Sequence, residues 1–295
     1  MRFCRFIFCC LVIMLGASAS HADSDSRFYQ ELHRLSDEAI HKREGIILWT
    51  SLSDSKQYVF GNAAWRNEKF VPGSIFKLLT AQAAVENKLQ LAYQCQGKGF
   101  IGGKQRQCWT YKGHGNLDLP KALALSCNLY FENLGMTLGL PKILAVIKQY
   151  PSLVSSLSEV SKDPAFDLAL FSIGDDLSYR VSPQAIAEFW NVYVFKIQEP
   201  AYGAILQGLK QSVQRGTASK LKNNPLEILA KTGTGDSLNS NYPTNGWFLG
   251  AYPVHAPKYS LVILLQEAHG FDEPARLAQK IFSKLAEFEV GKSRP

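Results

Sequence analysis

Cysteine is scarce in this chain: six among 295 residues, of which Cys4, Cys9 and Cys10 fall in the first ten positions. The remaining three, Cys95, Cys108 and Cys127, are too few for a disulfide-stapled scaffold, so the fold must rest on a hydrophobic core. A long apolar run is lacking too. Phe6 to Leu15 is about half the length that a bilayer-spanning helix needs. With Arg2 and Arg5 before it and small residues after it up to Ala22, it reads as a secretory signal over residues 1–22. Export to the periplasm or medium follows, with no stable membrane span after cleavage. There is no repeat, no low-complexity stretch and no basic, aromatic-interleaved stripe. The net charge of +7, or +5 without Arg2 and Arg5, is scattered, which excludes a nucleic-acid platform.

What is present is apolar content of 46%, enough for a large core in a single domain over residues 23–295. Phe28, Leu32, Leu35 and Ile40 predict an amphipathic helix within residues 23–43. Residues 45–50 and 57–60, rich in β-branched and aromatic side chains around Ser-Leu-Ser-Asp-Ser, predict a hairpin. From Ser74 to about Lys220 the pattern is mostly helical, with loops at residues 94–116 and at Gly174-Asp175-Asp176; Trp190, Tyr193 and Phe195 read as helix core. Strands return at 227–232, 246–252 and 259–266, and a helix over 273–288 closes the chain, with Pro274 in its first turn. Strands at both ends of a helical middle predict an α/β fold of two lobes. A sheet built from both termini carries helices on one face, and a helical lobe of roughly residues 78–220 is inserted between its strands.

The chemistry concentrates around Ser74. Pro72 and Gly73 hold off an earlier start, so Ser74 opens the helix, and Lys77 at i+3 shares its face. Burial and the positive helix end would lower the lysine pKa and leave an amine able to take the serine proton. Ser-x-x-Lys alone is weak, and Ser219-Lys-Leu-Lys222 repeats it in a polar loop. Two further groups accompany the first copy. Ser126 and Asn128, one residue apart, can give a proton relay and an amide donor. Lys231-Thr232-Gly233-Thr234 ends a strand-like run, offering a cation, two hydroxyls and a glycine beside which a substrate backbone can lie. A substrate carboxylate is expected on Lys231, Thr232 and Thr234, with the backbone N–H groups of Ser74 and Thr234 as an oxyanion hole.

Taken in order, Ser74-Ile-Phe-Lys77, Ser126-Cys-Asn128 and Lys231-Thr-Gly-Thr234 resemble the motif set of the serine penicillin-binding proteins and serine β-lactamases. Gly216-Thr217-Ala218 and residues 245–253 are similar to transpeptidase domains. Cys108-Trp109 and Gly113-His114-Gly115, running into Ser126-Cys-Asn128, are similar to the class B, elongation-type enzymes. The resemblance covers nearly the whole mature chain. It implies a five-stranded antiparallel sheet flanked by helices, an all-helical lobe, and a site between the lobes. Ser74 would be acylated by D-alanyl-D-alanine peptide stems of peptidoglycan or by β-lactams, in a D,D-transpeptidase or carboxypeptidase, with no catalytic cofactor. Class B enzymes usually carry a membrane helix and a pedestal domain, whereas about 50 residues separate the signal from Ser74 here. A serine β-lactamase is the second expectation, and a protein that binds β-lactam or muropeptide without turnover the third. Against the second, none of Glu159, Asp163, Asp167, Asp175 and Asp176 lies in a class A Glu-x-x-Leu-Asn pattern. Asn128 and Tyr202-Gly203-Ala204 depart from class D.

Two readings of the three mature cysteines stand side by side. One is a Cys95–Cys108 disulfide with Cys127 a buried thiol. The other adds His114 to give four ligands suited to a closed tetrahedral zinc site. Elongation-type relatives carry a metal cluster at similar positions, so the resemblance favours zinc, bracing the Ser126 segment from behind through Cys127.

Overall fold

The structure, a computed structural model, describes residues 27–41, 44–158, 160, 165–237 and 243–292. The expected signal segment lies outside the described residues, as do Glu159 and Asp163. The chain opens with helix α1 (27–40), whose buried Phe28, Leu32 and Leu35 follow the helical period. The hairpin β1 (Gly45–Ser51) and β2 (Gln57–Gly61) comes next. After a 3₁₀ turn at Gly73–Ile75 the chain enters α2 (Lys77–Glu86), so Ser74 sits inside that turn rather than opening the helix.

Residues 94–116 are more ordered than a loop. They hold β3 (Tyr93–Cys95), β4 (Lys98–Ile101), β5 (Lys104–Gln107) and β6 (Gly115–Leu117), with β3 paired to β6 and β4 to β5, all antiparallel. Polar side chains and glycines hide this ladder, because its backbone pairs locally while only one side rests on protein. Seven helices follow: α3 (Leu119–Ala124), α4 (Asn128–Leu138), α5 (Leu140–Ile147), α6 (Pro151–Val154), α7 (Leu168–Ile173), α8 (Pro183–Lys196) and α9 (Gly203–Arg215). Several start on side-chain caps, each worth about 0.5–2 kcal/mol. Asp118, Asp167 and Ser182 accept backbone N–H groups at the heads of α3, α7 and α8, and Pro183 occupies the first turn of α8.

The strands β7 (Leu229–Asp236), β8 (Thr244–Tyr252) and β9 (Tyr259–Gln266) then complete an antiparallel sheet in the order β2-β1-β9-β8-β7, before the closing helix α10 (Glu273–Lys292). Both termini therefore build one sheet, as expected, and β7 is an edge strand.

Helices cover both faces of the sheet rather than one. Ile47, Trp49, Phe248 and Ile263 pack under Phe28 and Leu32 of α1 and Ile281 and Phe282 of α10. Ile46, Leu48, Leu249 and Val262 turn to the other side and join the core of the helical lobe. There α8 lies on the sheet, and the Trp190 indole N–H donates to the Gly250 carbonyl at 2.8 Å. Burying each such aliphatic or aromatic side chain contributes about 1.5–3 kcal/mol. Trp190 and Tyr193 are core residues, whereas Phe195 points outward from α8 and is 47% exposed. Among the described residues no helix is long and apolar enough to cross a membrane.

Candidate active site and thiol cluster

The turn that carries Ser74 is wedged between the lobes. Gly73 donates its N–H to the Gly174 carbonyl at 3.0 Å on the helical side, and Gly233 of β7 lies against Pro72 and Ile75 on the sheet side. At the first position of α2, Lys77 is fully buried, with Nζ 2.9 Å from Ser74 Oγ. The same amine lies 2.6 Å from Asn128 Oδ1, 2.8 Å from the Ser126 carbonyl and 3.4 Å from Ser126 Oγ. Burial lowers its pKa, with the Asp175 carboxylate as the foremost opposing influence. In the neutral form it has two hydrogens and one lone pair. Asn128 Oδ1 and the Ser126 carbonyl can only accept, so they take the two hydrogens and the lone pair is left for a hydroxyl, Ser74 being nearest. That is the arrangement of a base on a nucleophile.

Ser126 joins this group to β7. Its backbone adopts φ +52°, a left-handed conformation costly for a serine, as at many sites where geometry outranks relaxation. Its Oγ accepts from Lys231 Nζ at 2.9 Å, so the hydroxyl stands between two buried amines and can pass a proton from one side to the other. Lys231 also donates to the Thr232 carbonyl at 2.6 Å. Its amine is pushed well below the usual lysine range, first by burial and then by the charge of Lys77. Lys231, on which with Thr232 and Thr234 the sequence-based reading places a substrate carboxylate, stands beside Ser126, and Thr232 and Thr234 follow it along the edge strand. Thr232 Oγ1 meets Thr217 Oγ1 at 2.6 Å, and Thr234 Oγ1 accepts the Gly270 N–H at 3.1 Å. The decoy pair Ser219 and Lys222 sits exposed on a surface 3₁₀ turn.

Trp109 from the helical side and Phe271 from the sheet side stack with centroids 6.4 Å apart, Trp109 tethered by its indole N–H to the Leu125 carbonyl. Cys95, Cys108, His114 and Cys127 bring their ligand atoms within 4.8 Å of one another. His114 Nδ1 is 3.7 Å from Cys95 Sγ and 3.5 Å from Cys108 Sγ, and the Cys108 and Cys127 sulfurs are 3.8 Å apart. Zinc bonds of ordinary length at tetrahedral angles place sulfurs about 3.8 Å apart and sulfur and nitrogen about 3.6 Å apart, so the donor set fits that ion. All three cysteines are thiols here, and among the described residues no disulfide joins Cys95 to Cys108. The imidazole stands beside both sulfurs, where a bridge would need them about 2.05 Å apart. The Cys108 thiol is shifted downward, first by the hydrogen bond from Cys127 and also by His114, while Cys127, the donor of that pair, is shifted upward. Cys127 caps α4, its Sγ accepting from the Tyr130 N–H at 3.5 Å, between Ser126 and Asn128.

A two-lobed fold with a buried Ser-Lys pair, a Ser-x-Asn turn and a Lys-Thr-Gly edge strand defines the class of serine-based penicillin-interacting domains. Residues 39–287 match the family described as Penicillin binding protein transpeptidase domain, and the chain belongs to that family. It is 23% identical to Peptidoglycan D,D-transpeptidase PbpA of Mycolicibacterium smegmatis over 74% of this chain and 54% of that one. It is also 34% identical to Stage V sporulation protein D of Bacillus subtilis, over 28% of this chain and 13% of that one. The chain thus spans about half or less of the curated relatives it matches. Its fold is similar to Penicillin-Binding Protein (PBP2) from Helicobacter pylori, with TM-score 0.74 and 17% identity over 87% of this chain and 62% of that one. It is likewise similar to the D,D-transpeptidase domain of a peptidoglycan glycosyltransferase from Eggerthella lenta, with TM-score 0.71 and 16% identity over 88% and 81%.

Sequence reasoning missed parts of this surround. Asp175, noted only as a loop acid, is the chief electrostatic partner of Lys77. Arg106 and Glu132 form a buried pair at 3.9 Å, and Arg106 also grips Asp167. Gly270 underlies Thr234. Neighbouring residues advertise none of these; a charged residue inside an apolar stretch, as at Glu132, was the one available signal.

Proposed function

We propose that this chain is a serine acyl-transferase acting on D-alanyl-D-alanine peptide stems of peptidoglycan outside the cytoplasm, as a D,D-transpeptidase or carboxypeptidase, and that β-lactams acylate it at Ser74. The observation that carries this reading is the fully buried Lys77 amine 2.9 Å from Ser74 Oγ, with its hydrogens committed to Ser126 and Asn128. Ser74 attacks the stem carbonyl as Lys77 accepts its proton. The leaving D-alanine amine then receives a proton through Ser126, whose hydroxyl Lys231 orients. Asn128 holds the substrate amide, while Thr232 and Thr234 meet the terminal carboxylate at the edge of β7. The resulting ester passes to an acceptor.

Zinc fits the second role anticipated from the thiols. Cys95, Cys108, His114 and Cys127 would hold it as a structural ion, supplying folding energy and fixing the turn that presents Ser126 and Asn128. Labelling with a fluorescent penicillin tests the main reading. Wild-type protein should take up one label per chain and Ser74→Ala none, at an unchanged melting temperature. Label retained by Ser74→Ala would end the assignment.

A further inference from the structure

The Gly174-Asp175-Asp176 turn between α7 and α8 is assigned no part in the chemistry above, yet it is locked against the nucleophile. Gly174, at φ +84°, accepts the Gly73 N–H, and a Cβ on Gly174 would fall 2.1 Å from the Gly73 carbonyl oxygen. Phe76, two residues after Ser74, packs edge-on against Phe171 and Tyr179 on either side of the turn, with centroids 4.7 and 5.2 Å apart. The two acids of the turn differ in employment. Asp176 is spent on structure, accepting the N–H groups of Asp167 and Ser178 and the Ser178 hydroxyl. The Asp175 backbone is tied to the Leu170 carbonyl, but its carboxylate, half-buried, takes no hydrogen bond from any described residue. The charges that act on it electrostatically are the Lys77 amine, Asp236 at the end of β7 and Glu132 on α4. Such a carboxylate, on the turn bonded to the residue before Ser74 and without a hydrogen bond from any described residue, is placed to hold a water molecule.

We infer that Asp175 is the general base for water, so that this chain hydrolyses its Ser74 acyl-enzyme and uses water as an acceptor in addition to an amine. The step rests on the proposed acylation of Ser74. Water bonds to the ester carbonyl carbon as the Asp175 carboxylate takes one of its protons. Collapse breaks the bond to Ser74 Oγ, and that proton returns through Lys77 to the serine. The products are a shortened peptide acid, or an opened β-lactam, and free enzyme. Burial and the two neighbouring carboxyls push Asp175 up to about 7, so the base is charged above that pH and spent below it. The geometry supplies, from a different segment, the carboxylate that the missing Glu-x-x-Leu-Asn pattern would have carried.

The test loads protein with fluorescent penicillin, removes the excess, and follows loss of label across pH about 5 to about 9. Wild type should shed label faster as pH rises through about 7. Asp175→Asn should shed it about 100-fold more slowly and without that step, with partial recovery in Asp175→Glu. Equal rates and equal profiles in wild type and Asp175→Asn overturn the inference and leave Ser74 acylation standing. So does release from wild type that is independent of pH, which decides the matter even if Asp175→Asn takes no label. A wild type that takes no label at all overturns the proposed function, and this inference with it.

Discussion

Replacing Gly270 by alanine should slow acylation although the residue is distant in sequence from every catalytic side chain. Gly270 lies on the segment between β9 and α10, pressed on the backbone of the two edge-most strands. An alanine Cβ there would stand 2.1 Å from the Gly233 carbonyl oxygen and 2.4 Å from that of Trp247, where real Cβ atoms keep at least 3.0 Å. Both obstacles are backbone atoms of paired strands, so the segment must lift by about 1 Å. The lift breaks the Gly270 N–H bond to Thr234 Oγ1 and parts Phe271 from Trp109. A lost hydrogen bond costs about 0.5–1.5 kcal/mol and the strain about 1–3, for a total loss of about 2–4 kcal/mol of stability. With β7 holding substrate as proposed, a displacement of that size should lower acylation by roughly 10- to 100-fold. Thermal melts and the rate of fluorescent penicillin labelling read the two effects. Gly203→Ala is the control, since a Cβ there meets nothing within 4 Å and alanine suits the helix better. Labelling of Gly270→Ala at the wild-type rate would refute the claim that this segment braces β7.

Two further outcomes follow from the thiol cluster and the buried acid. Metal analysis of native protein should find near-stoichiometric zinc, with three titratable thiols after its removal, and chelation should lower both the melting temperature and the labelling rate; no metal and a single free thiol would mean a disulfide instead. Glu132, pushed up to about 7 chiefly by burial, binds a proton more readily in the folded chain than its ordinary value of 4.5 implies. Its contribution to stability is therefore full below about pH 4.5 and is lost as pH rises through about 7. Glu132→Gln should leave stability near pH 4 unchanged and raise it by about 1–3 kcal/mol above pH 8, as read by urea melts at the two pH values; a loss at high pH would show that the charged pair with Arg106 outweighs its desolvation.

Much of the sheet was legible because strand chemistry is local. The run from Tyr259 to Gln266 marks its own boundaries, and β1 reads as a strand from its β-branched and aromatic content. What it does not reveal is that both faces are covered: every residue of β1 is buried, and only the packing of α8 opposite α1 and α10 explains why. The short ladders of residues 93–117 were read as loop because their partners lie across glycine turns and their side chains are largely polar. Phe195 was read as core from its place in an apolar helix, whereas the sheet occupies one side of α8 and leaves that position outside.

The sequence by itself determined that Ser74 and Lys77 would meet, since three residues along a helical path put two side chains on one face whatever surrounds them. It also determined the three motifs and singled out Cys95, Cys108, His114 and Cys127, which the fold brings together. Only the tertiary structure decided that Lys77 reaches Ser126 and Asn128, 49 and 51 positions away, that Lys231 stands behind Ser126 from 105 positions away, and that the turn carrying Asp175 is bonded to the residue before Ser74. Those contacts depend on how the two lobes close on each other. Closure is set by the summed burial of many apolar side chains, and no short stretch of residues carries that sum.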